Sequence, residues 1–290
     1  MQRAEDSPWR VVEPHVPFPD DAALRLTLIG GQCFRWAEPT PGEFVGHWAR
    51  HTARVRRSAD GLLECYHGPD APPVTEIAAY FAAGVDFEAL AAALPWRSDA
   101  VLQRAMAAAG GVRLLRQPPG ETLLCYLCSS TKRIPQIREL TDRLAATLGP
   151  GPGLLPDWQT LATTPEESLR ALGLGYRARY VAEAAQALAQ QPPDWESRLA
   201  AMPYAEAHAF LGALPGVGPK IADCVCLFGL EHHGAFPVDT WILQVMEGAY
   251  GLTGWRPAQI AHFAAIHFGP AAGLAQQYLF EAARTGQLNG

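Results

Sequence analysis

Apolar residues recur at helical spacing on both sides of a glycine- and proline-rich break in the last third of the chain. The positions that share this spacing are Ala207, Phe210, Leu211, Leu214, Ile221, Cys224, Val225 and Phe228. Because side chains three or four positions apart lie on one face of a helix, the pattern predicts two short helices. The break at residues 215–219 predicts a hairpin between them.

The predicted hairpin has the composition of an anion-binding site. Gly216 and Gly218 permit positive φ values and the close approach of another backbone. We expect their amides, that of Val217 and the N-terminus of the next helix to face a phosphate. Lys220 lies in the first turn of that helix, and Asp239 follows nineteen residues later, before a third apolar-periodic run.

The first part of the chain has weak apolar–polar alternation and turn signals, which are typical of an antiparallel sheet. Strands are predicted at residues 43–48, 53–57 and 62–66, with a turn at Asp60-Gly61. Extended segments are also predicted at 24–28 and 32–36, and helices at 78–83 and 87–94.

From about residue 98 the apolar spacing becomes helical. Helices are predicted at 101–109, 121–129, 134–148, about 177–190 and 271–284. The sequence therefore predicts an α+β protein, with an α+β domain over residues 1–110 and a helical domain over 111–290.

Composition narrows the class of protein. Hydrophobic residues make up 49% of the chain, and no apolar run has the length of a membrane span. The first residues do not resemble a signal peptide and the six cysteines form no disulfide framework, so we expect a reducing, intracellular compartment. A net charge of −6 argues against nucleic-acid binding through a broadly basic surface.

Lysine is nearly absent, which draws attention to Lys220. Of 23 lysines and arginines, only Lys132 and Lys220 are lysines. An amine that loses its proton can act as a nucleophile, whereas a guanidinium stays protonated. A solvated lysine at a helix start is an equally acceptable interpretation at this point.

Two cysteine pairs could supply ligands to a metal. Cys125 and Cys128 form one pair, and Cys224 and Cys226 form the other. Both lie inside apolar helical runs, so buried core cysteines are the favoured interpretation and no metal is expected.

Several motifs together resemble those of a known family. The segment LPGVGPK followed by PVDTW resembles the helix-hairpin-helix DNA glycosylases that carry a Gly/Pro-Asp signature. The following segments narrow the resemblance to 8-oxoguanine DNA glycosylases of the eukaryotic type: IGGQCFRW at 29–36, GVRLLRQ at 111–117, CSS at 128–130, LGLGYRARY at 172–180 and FGPAAGLAQQYLF at 268–280. This resemblance implies a TATA-binding-protein-like sheet domain followed by a helical catalytic domain.

The resemblance also implies a mechanism. Lys220 would attack C1′ of the damaged nucleotide to give a Schiff base and then strand cleavage by β-elimination, while Asp239 would stabilise positive charge on the sugar. The implied base pocket comprises Gly31, Cys224, Gln276 and Phe280. Implied DNA contacts come from the hairpin and from Tyr176 and Arg177.

Three positions depart from the family pattern. Thr131 and Gln136 stand where an asparagine and an arginine normally contact the estranged cytosine, and Trp241 stands where a histidine is usual. The first two departures predict relaxed selectivity for the opposite base.

The implied partner is double-stranded DNA containing oxidised guanine, bound by a monomer. No cofactor or iron–sulfur cluster is expected, although the hairpin could hold a structural cation. Two alternatives stay open: a glycosylase of the same architecture for alkylated bases, and a non-catalytic helix-hairpin-helix DNA-binding protein.

Overall fold

The computed structural model describes residues 7–288, and its N-terminal part is built on an antiparallel sheet. The strands lie in the spatial order β1-β5-β4-β3-β2. Their bounds are Trp9–Val11 for β1, Trp36–Thr40 for β2, Glu43–Trp48 for β3, His51–Arg57 for β4 and Leu63–Tyr66 for β5. Phe44 faces Val55 across β3 and β4 and both are buried, because alternate residues of each strand point to the covered face.

Two helices cover this sheet, α1 (Asp21–Ile29) and α2 (Val74–Tyr80). The predicted extended segment at 24–28 is wrong, because these residues belong to α1. The Asp20 side chain accepts a hydrogen bond from the amide of Ala23 at 2.8 Å and so caps the helix. Apolar residues 24 and 28 share one helical face, a spacing that a five-residue window cannot distinguish from a short strand.

The rest of the chain is helical. The remaining helices are α3 (Phe87–Ala93), α4 (Ala100–Ala109), α5 (Pro119–Ser129), α6 (Ile134–Leu148), α7 (Trp158–Thr163), α8 (Glu166–Leu169), α9 (Arg177–Ala189), α10 (Trp195–Ala200), α11 (Tyr204–Gly212), α12 (Pro219–Gly229), α13 (Thr240–Gly248), α14 (Pro257–His267) and α15 (Ala272–Arg284). A π-helical turn at Arg170–Leu174 precedes α9, and a short 3₁₀ turn at Gly269–Ala271 precedes α15. A sheet region followed by a helical region confirms the predicted α+β class.

Two apolar cores organise the molecule. One lies between the sheet and α1 and α2, and the other is surrounded by the helices from α3 onward. Helix α4 packs against α15, and α5 packs against α12. Most residues of α5 are buried, so this helix lies in the core beneath the unit formed by α11, the hairpin and α12. All six cysteines are free and buried, which confirms the prediction made for the pairs Cys125/Cys128 and Cys224/Cys226. Within residues 7–288, no helix combines the length and the hydropathy needed to span a membrane.

Candidate active site

The hairpin between α11 and α12 comprises residues 213–218 and not the predicted 215–219, because α11 ends at Gly212 and Pro219 is already the first residue of α12. Gly216 has φ 79°, and a Cβ there would lie 2.5 Å from Cβ of Tyr180, so the position requires glycine. Gly218 is extended at φ −89° and caps α12. The amide of Val217 donates to Leu214 at 3.1 Å, whereas those of Gly216 and Gly218 make no hydrogen bond to residues 7–288. The two glycine amides are therefore the ones available to an anion.

Lys220 lies at the second position of α12 and is half-buried. Its Nζ sits 4.7 Å from the centre of the Tyr126 ring, on the ring face. An aromatic face attracts an ammonium and limits the directions that the side chain can take. Lys132 and Lys220 line one and the same pocket, so the two lysines of the chain lie on the same surface.

Asp239 is the residue before α13, where it both caps the helix and lines the pocket that contains Lys220. Its Oδ1 accepts a hydrogen bond from the amide of Ile242 at 2.9 Å, which caps the helix. Burial raises the pKa of Asp239 above its ordinary value, against the opposing effects of the Ile242 amide and the positive charge of Lys220.

A pocket of about 900 Å³ opens beside Lys220 and Asp239. All four residues of the predicted base pocket line it: Gly31, Cys224, Gln276 and Phe280. At Gly31, any Cβ would lie 2.3 Å from Cε1 of Phe280, so the glycine allows the ring to lie against the backbone. Burial raises the pKa of the Cys224 thiol to about 12, which keeps this wall of the pocket uncharged.

The amide of Gln276 is held at both ends. Its Nε2 donates to the carbonyl of Pro237 at 3.2 Å, and its Oε1 accepts from Nε2 of Gln277 at 2.9 Å. Both glutamine side chains are buried. The orientation of the Gln276 amide is therefore fixed before any ligand arrives.

Thr131, Tyr176 and Arg177 form a second cluster next to the pocket. Arg177 is 6% exposed, and its guanidinium donates to Thr131 Oγ1 at 2.7 Å and to the carbonyl of Ser130 at 2.9 Å. It also lies 4.5 Å from the centre of the Tyr176 ring, which is 51% exposed. Protein acceptors thus occupy the guanidinium in this structure, and Tyr176 presents the accessible surface.

The two remaining predicted DNA-contact residues lie at helix starts. Gln136 is exposed in the first turn of α6, where its Oε1 accepts from the amide of Arg133 at 2.9 Å. Trp241 is 38% exposed, lies in the first turn of α13 and lines the pocket beside Asp239. Gln136 does not line the pocket itself, although its neighbours Pro135 and Ile137 do.

Sequence reasoning missed Tyr126 and Gln277. Tyr126 appears in an apolar run that reads as core, and Gln277 appears to extend a helix. Buried glutamines are unusual, so two consecutive glutamines, Gln276 and Gln277, inside an apolar helix could have indicated that Gln277 also belongs to the site. Among the described residues, His, Cys, Asp and Glu side chains form no group of three or more that could hold a metal.

Comparisons with known proteins identify the family to which the chain belongs. Residues 16–123 match the model of the 8-oxoguanine DNA glycosylase N-terminal domain, and residues 126–265 match that of the HhH-GPD superfamily base excision DNA repair proteins. The chain is 32% identical over 286 residues to the N-glycosylase/DNA lyase of Arabidopsis thaliana. This match covers 90% of this chain and 77% of the Arabidopsis protein.

Two further relatives extend the comparison. The N-glycosylase/DNA lyase of Saccharomyces cerevisiae is 32% identical over 164 residues, 49% of this chain and 43% of that protein. The fold is similar to that of the Clostridium acetobutylicum 8-oxoguanine glycosylase/lyase in complex with DNA containing cytosine opposite 8-oxoguanine. The TM-score is 0.83 at 26% identity, over 92% of this chain and 93% of that chain. The chain belongs to the 8-oxoguanine DNA glycosylase family of helix-hairpin-helix base-excision repair proteins.

Proposed function

We propose that this protein flips 8-oxoguanine out of duplex DNA, excises it through a lysine Schiff base and cleaves the strand by β-elimination. The observation that carries the proposal is that Lys220, Asp239 and the four base-pocket residues all line the same pocket. A base inside a duplex is out of reach of an amine, so an extrahelical pocket of this kind is required.

In the proposed reaction, the neutral amine of Lys220 attacks C1′ of the flipped nucleotide. The bond from C1′ to N9 breaks, and the base leaves with the bonding electrons and gains a proton. The sugar ring then opens to a Schiff base, and loss of a proton from C2′ expels the 3′-phosphate. Asp239 stabilises the positive charge that develops on the sugar as the base departs.

Base recognition would use polar groups on two sides of the pocket. The carbonyl of Gly31 would accept the N7 proton, which 8-oxoguanine has and guanine lacks. Gln276 would read the Watson–Crick edge with its pre-oriented amide. Cys224 and Phe280 would enclose the base from its two faces, since both side chains line the pocket and are buried.

The remaining contacts would hold the DNA backbone and the vacated position. Gly216 and Gly218 offer free amides to a phosphate, next to the N-terminus of α12. Tyr176 is exposed enough to occupy the gap left by the flipped nucleotide. The reaction proposed for Lys220 and Asp239 needs no cofactor. A structural cation at the hairpin, a monomeric state and an intracellular, DNA-associated location stay predictions.

Borohydride trapping tests the proposal directly. We expect the wild-type protein to form a covalent adduct with duplexes containing 8-oxoguanine, and Lys220→Gln to abolish both the adduct and base release while binding survives. Lys132→Gln is the matched control, because it removes the other lysine of the same pocket and should keep the adduct.

Three outcomes would reject the proposal. An adduct that persists in Lys220→Gln would place the nucleophile elsewhere. Release of alkylated bases without release of 8-oxoguanine would favour the alkylated-base alternative, and binding without any base release would favour a non-catalytic protein.

A further inference from the structure

Tyr126 lies at the centre of the site, although the proposed chemistry assigns it no task. It belongs to α5 and is 3% exposed. Its ring stacks on Phe228, with centroids 5.9 Å apart and planes 11° apart, and meets the edge of Phe34 at 5.4 Å. Because rings on both sides fix its plane, Tyr126 can hold neighbouring groups in place.

The hydroxyl of Tyr126 joins α5 to the glycine segment on the opposite wall of the pocket. It lies 3.2 Å from the carbonyl oxygen of Gly31 and 3.2 Å from that of Gln32. A hydroxyl has only one proton, so Tyr126 donates a single, bifurcated hydrogen bond that both carbonyl oxygens accept.

Gln32 is held by several further hydrogen bonds, whereas the carbonyl of Gly31 has none within residues 7–288 besides that from Tyr126. The Gln32 side chain donates to the carbonyl of Arg113 at 2.8 Å and accepts from the amide of Leu115 at 2.9 Å, and its carbonyl accepts from Gln117 at 2.9 Å. Within residues 7–288, the Tyr126 hydroxyl is the one donor that reaches the Gly31 carbonyl. Gly31 also has no side chain with which to restrict its own backbone.

We propose that Tyr126 is a positioning residue whose hydroxyl fixes the Gly31 carbonyl in the direction needed to read the base, while its ring supports Lys220. The inference rests on the proposed function. A carbonyl oxygen accepts two hydrogen bonds, so the bond from Tyr126 leaves one lone pair for the N7 proton of 8-oxoguanine. Loss of the hydroxyl frees the peptide between Gly31 and Gln32 to rotate.

The two parts of Tyr126 act on different stages of the reaction, and this makes them separable. The hydroxyl contacts a group that meets the base, whereas the ring face lies 4.7 Å from Nζ of Lys220. Reaction at a preformed abasic site needs the lysine but no base recognition. Tyr126→Phe removes the hydroxyl and keeps the ring, so it should affect base excision alone.

The experiment compares two substrates for one variant. Single-turnover excision is measured on a duplex with 8-oxoguanine opposite cytosine, and borohydride trapping on the same duplex with an abasic site. We expect Tyr126→Phe to slow excision by about three- to tenfold, the effect of one neutral hydrogen bond, and to leave abasic-site trapping at the wild-type rate. Thermal melting confirms that the variant is folded.

Tyr80→Phe is the matched control. Its hydroxyl is also buried and accepts a hydrogen bond from Trp36 at 3.0 Å, but it lies in the sheet core and does not line the pocket. It should leave the ratio of the two rates unchanged.

The pattern of the two rates decides the inference. Equal losses on both substrates would indicate a general structural role, and unchanged excision would show that the hydroxyl positions nothing that matters. Either result overturns the inference. Wild-type protein that traps at abasic sites without releasing 8-oxoguanine would instead reject the proposed function.

Discussion

At the scale of single residues, Asp239 combines a helix cap with the role that is proposed for it in catalysis. Its Oδ1 caps α13 through the amide of Ile242, and the same carboxyl faces the pocket that contains Lys220. A capping residue is held by the backbone, so its carboxylate needs no further support to stay in position. The cost is desolvation, which raises the pKa of Asp239.

Asparagine and alanine at Asp239 should separate the two functions. Asparagine also caps helices well, so Asp239→Asn should lose at least about a hundredfold in base excision without loss of the cap. Asp239→Ala should lose the activity and also about 1 kcal/mol of stability. Single-turnover excision and denaturant unfolding measure the two effects, and equal stability of both variants would show that the cap is unimportant.

The raised pKa of Asp239 also predicts the sign of a pH effect. A buried acid whose pKa is raised binds its proton more tightly in the folded state than in the unfolded state. Its stabilising contribution is therefore complete at low pH and is lost as the pH rises through its folded pKa. We expect the stability of Asp239→Asn relative to wild type to increase with pH over that range. A difference that is constant with pH would contradict the shift.

At the scale of elements, the connection between α5 and α6 is the segment that we predict to contact the opposite base. Thr131 lies in this connection with φ 55°, a left-handed conformation that β-branched residues rarely adopt and that asparagine adopts more readily. Its hydroxyl accepts from Arg177, which also donates to Ser130. The cluster is thus satisfied internally, and it offers an incoming cytosine fewer free donors than an unengaged guanidinium would.

We predict that the protein prefers cytosine opposite 8-oxoguanine, but by less than about a thousandfold, or roughly 4 kcal/mol. Gln136 can donate to a base only through its uncharged amide nitrogen. Its amide oxygen already accepts a hydrogen bond from the backbone amide of Arg133. Unmatched buried acceptors on the base cost about 1–3 kcal/mol each, and this cost is the source of discrimination. Single-turnover excision from four duplexes that differ in the opposite base measures the preference.

Gln136→Arg should sharpen this preference, because a guanidinium donates charge-assisted hydrogen bonds. Gln191→Arg adds the same charge at an exposed glutamine that follows α9 and lies outside α6, and serves as the control. If both variants changed the preference equally, net charge and not the position would be responsible.

At the scale of the whole molecule, an acidic protein binds a polyanion in the proposed function. The net charge is −6, yet Lys132, Arg133, Lys220 and Arg284 all line the pocket. The hairpin adds uncharged amide donors. DNA binding would therefore depend on a few local cations and on backbone groups, not on a basic surface.

We accordingly expect a shallow salt dependence of DNA affinity, with about two to four phosphates' worth of counterions released. Affinity measured across a salt series gives this slope, and Lys132→Gln should reduce it by about one. A slope close to that of a strongly basic repressor would reveal a basic DNA-binding face outside the pocket.

Much of the architecture could be predicted from the sequence because it depends on neighbours along the chain. Apolar spacing identified α6 at its observed bounds, and the glycines around Val217 identified the hairpin. The near-absence of lysine singled out Lys220 before any fold was known. Spacing was misleading for α1, because Leu24, Leu26 and Leu28 alternate with polar residues as in a strand and the cap at Asp20 was overlooked.

The tertiary structure alone decided which distant residues meet. Gly31 contacts Phe280 and accepts a hydrogen bond from Tyr126, although the three lie far apart in the sequence. It also decided that Arg177 is occupied by protein acceptors. Local periodicity specifies which face of a helix is apolar, but not which hydroxyl of a neighbouring element will meet a given carbonyl. Those contacts depend on how the helices pack, and packing is a property of the whole folded chain.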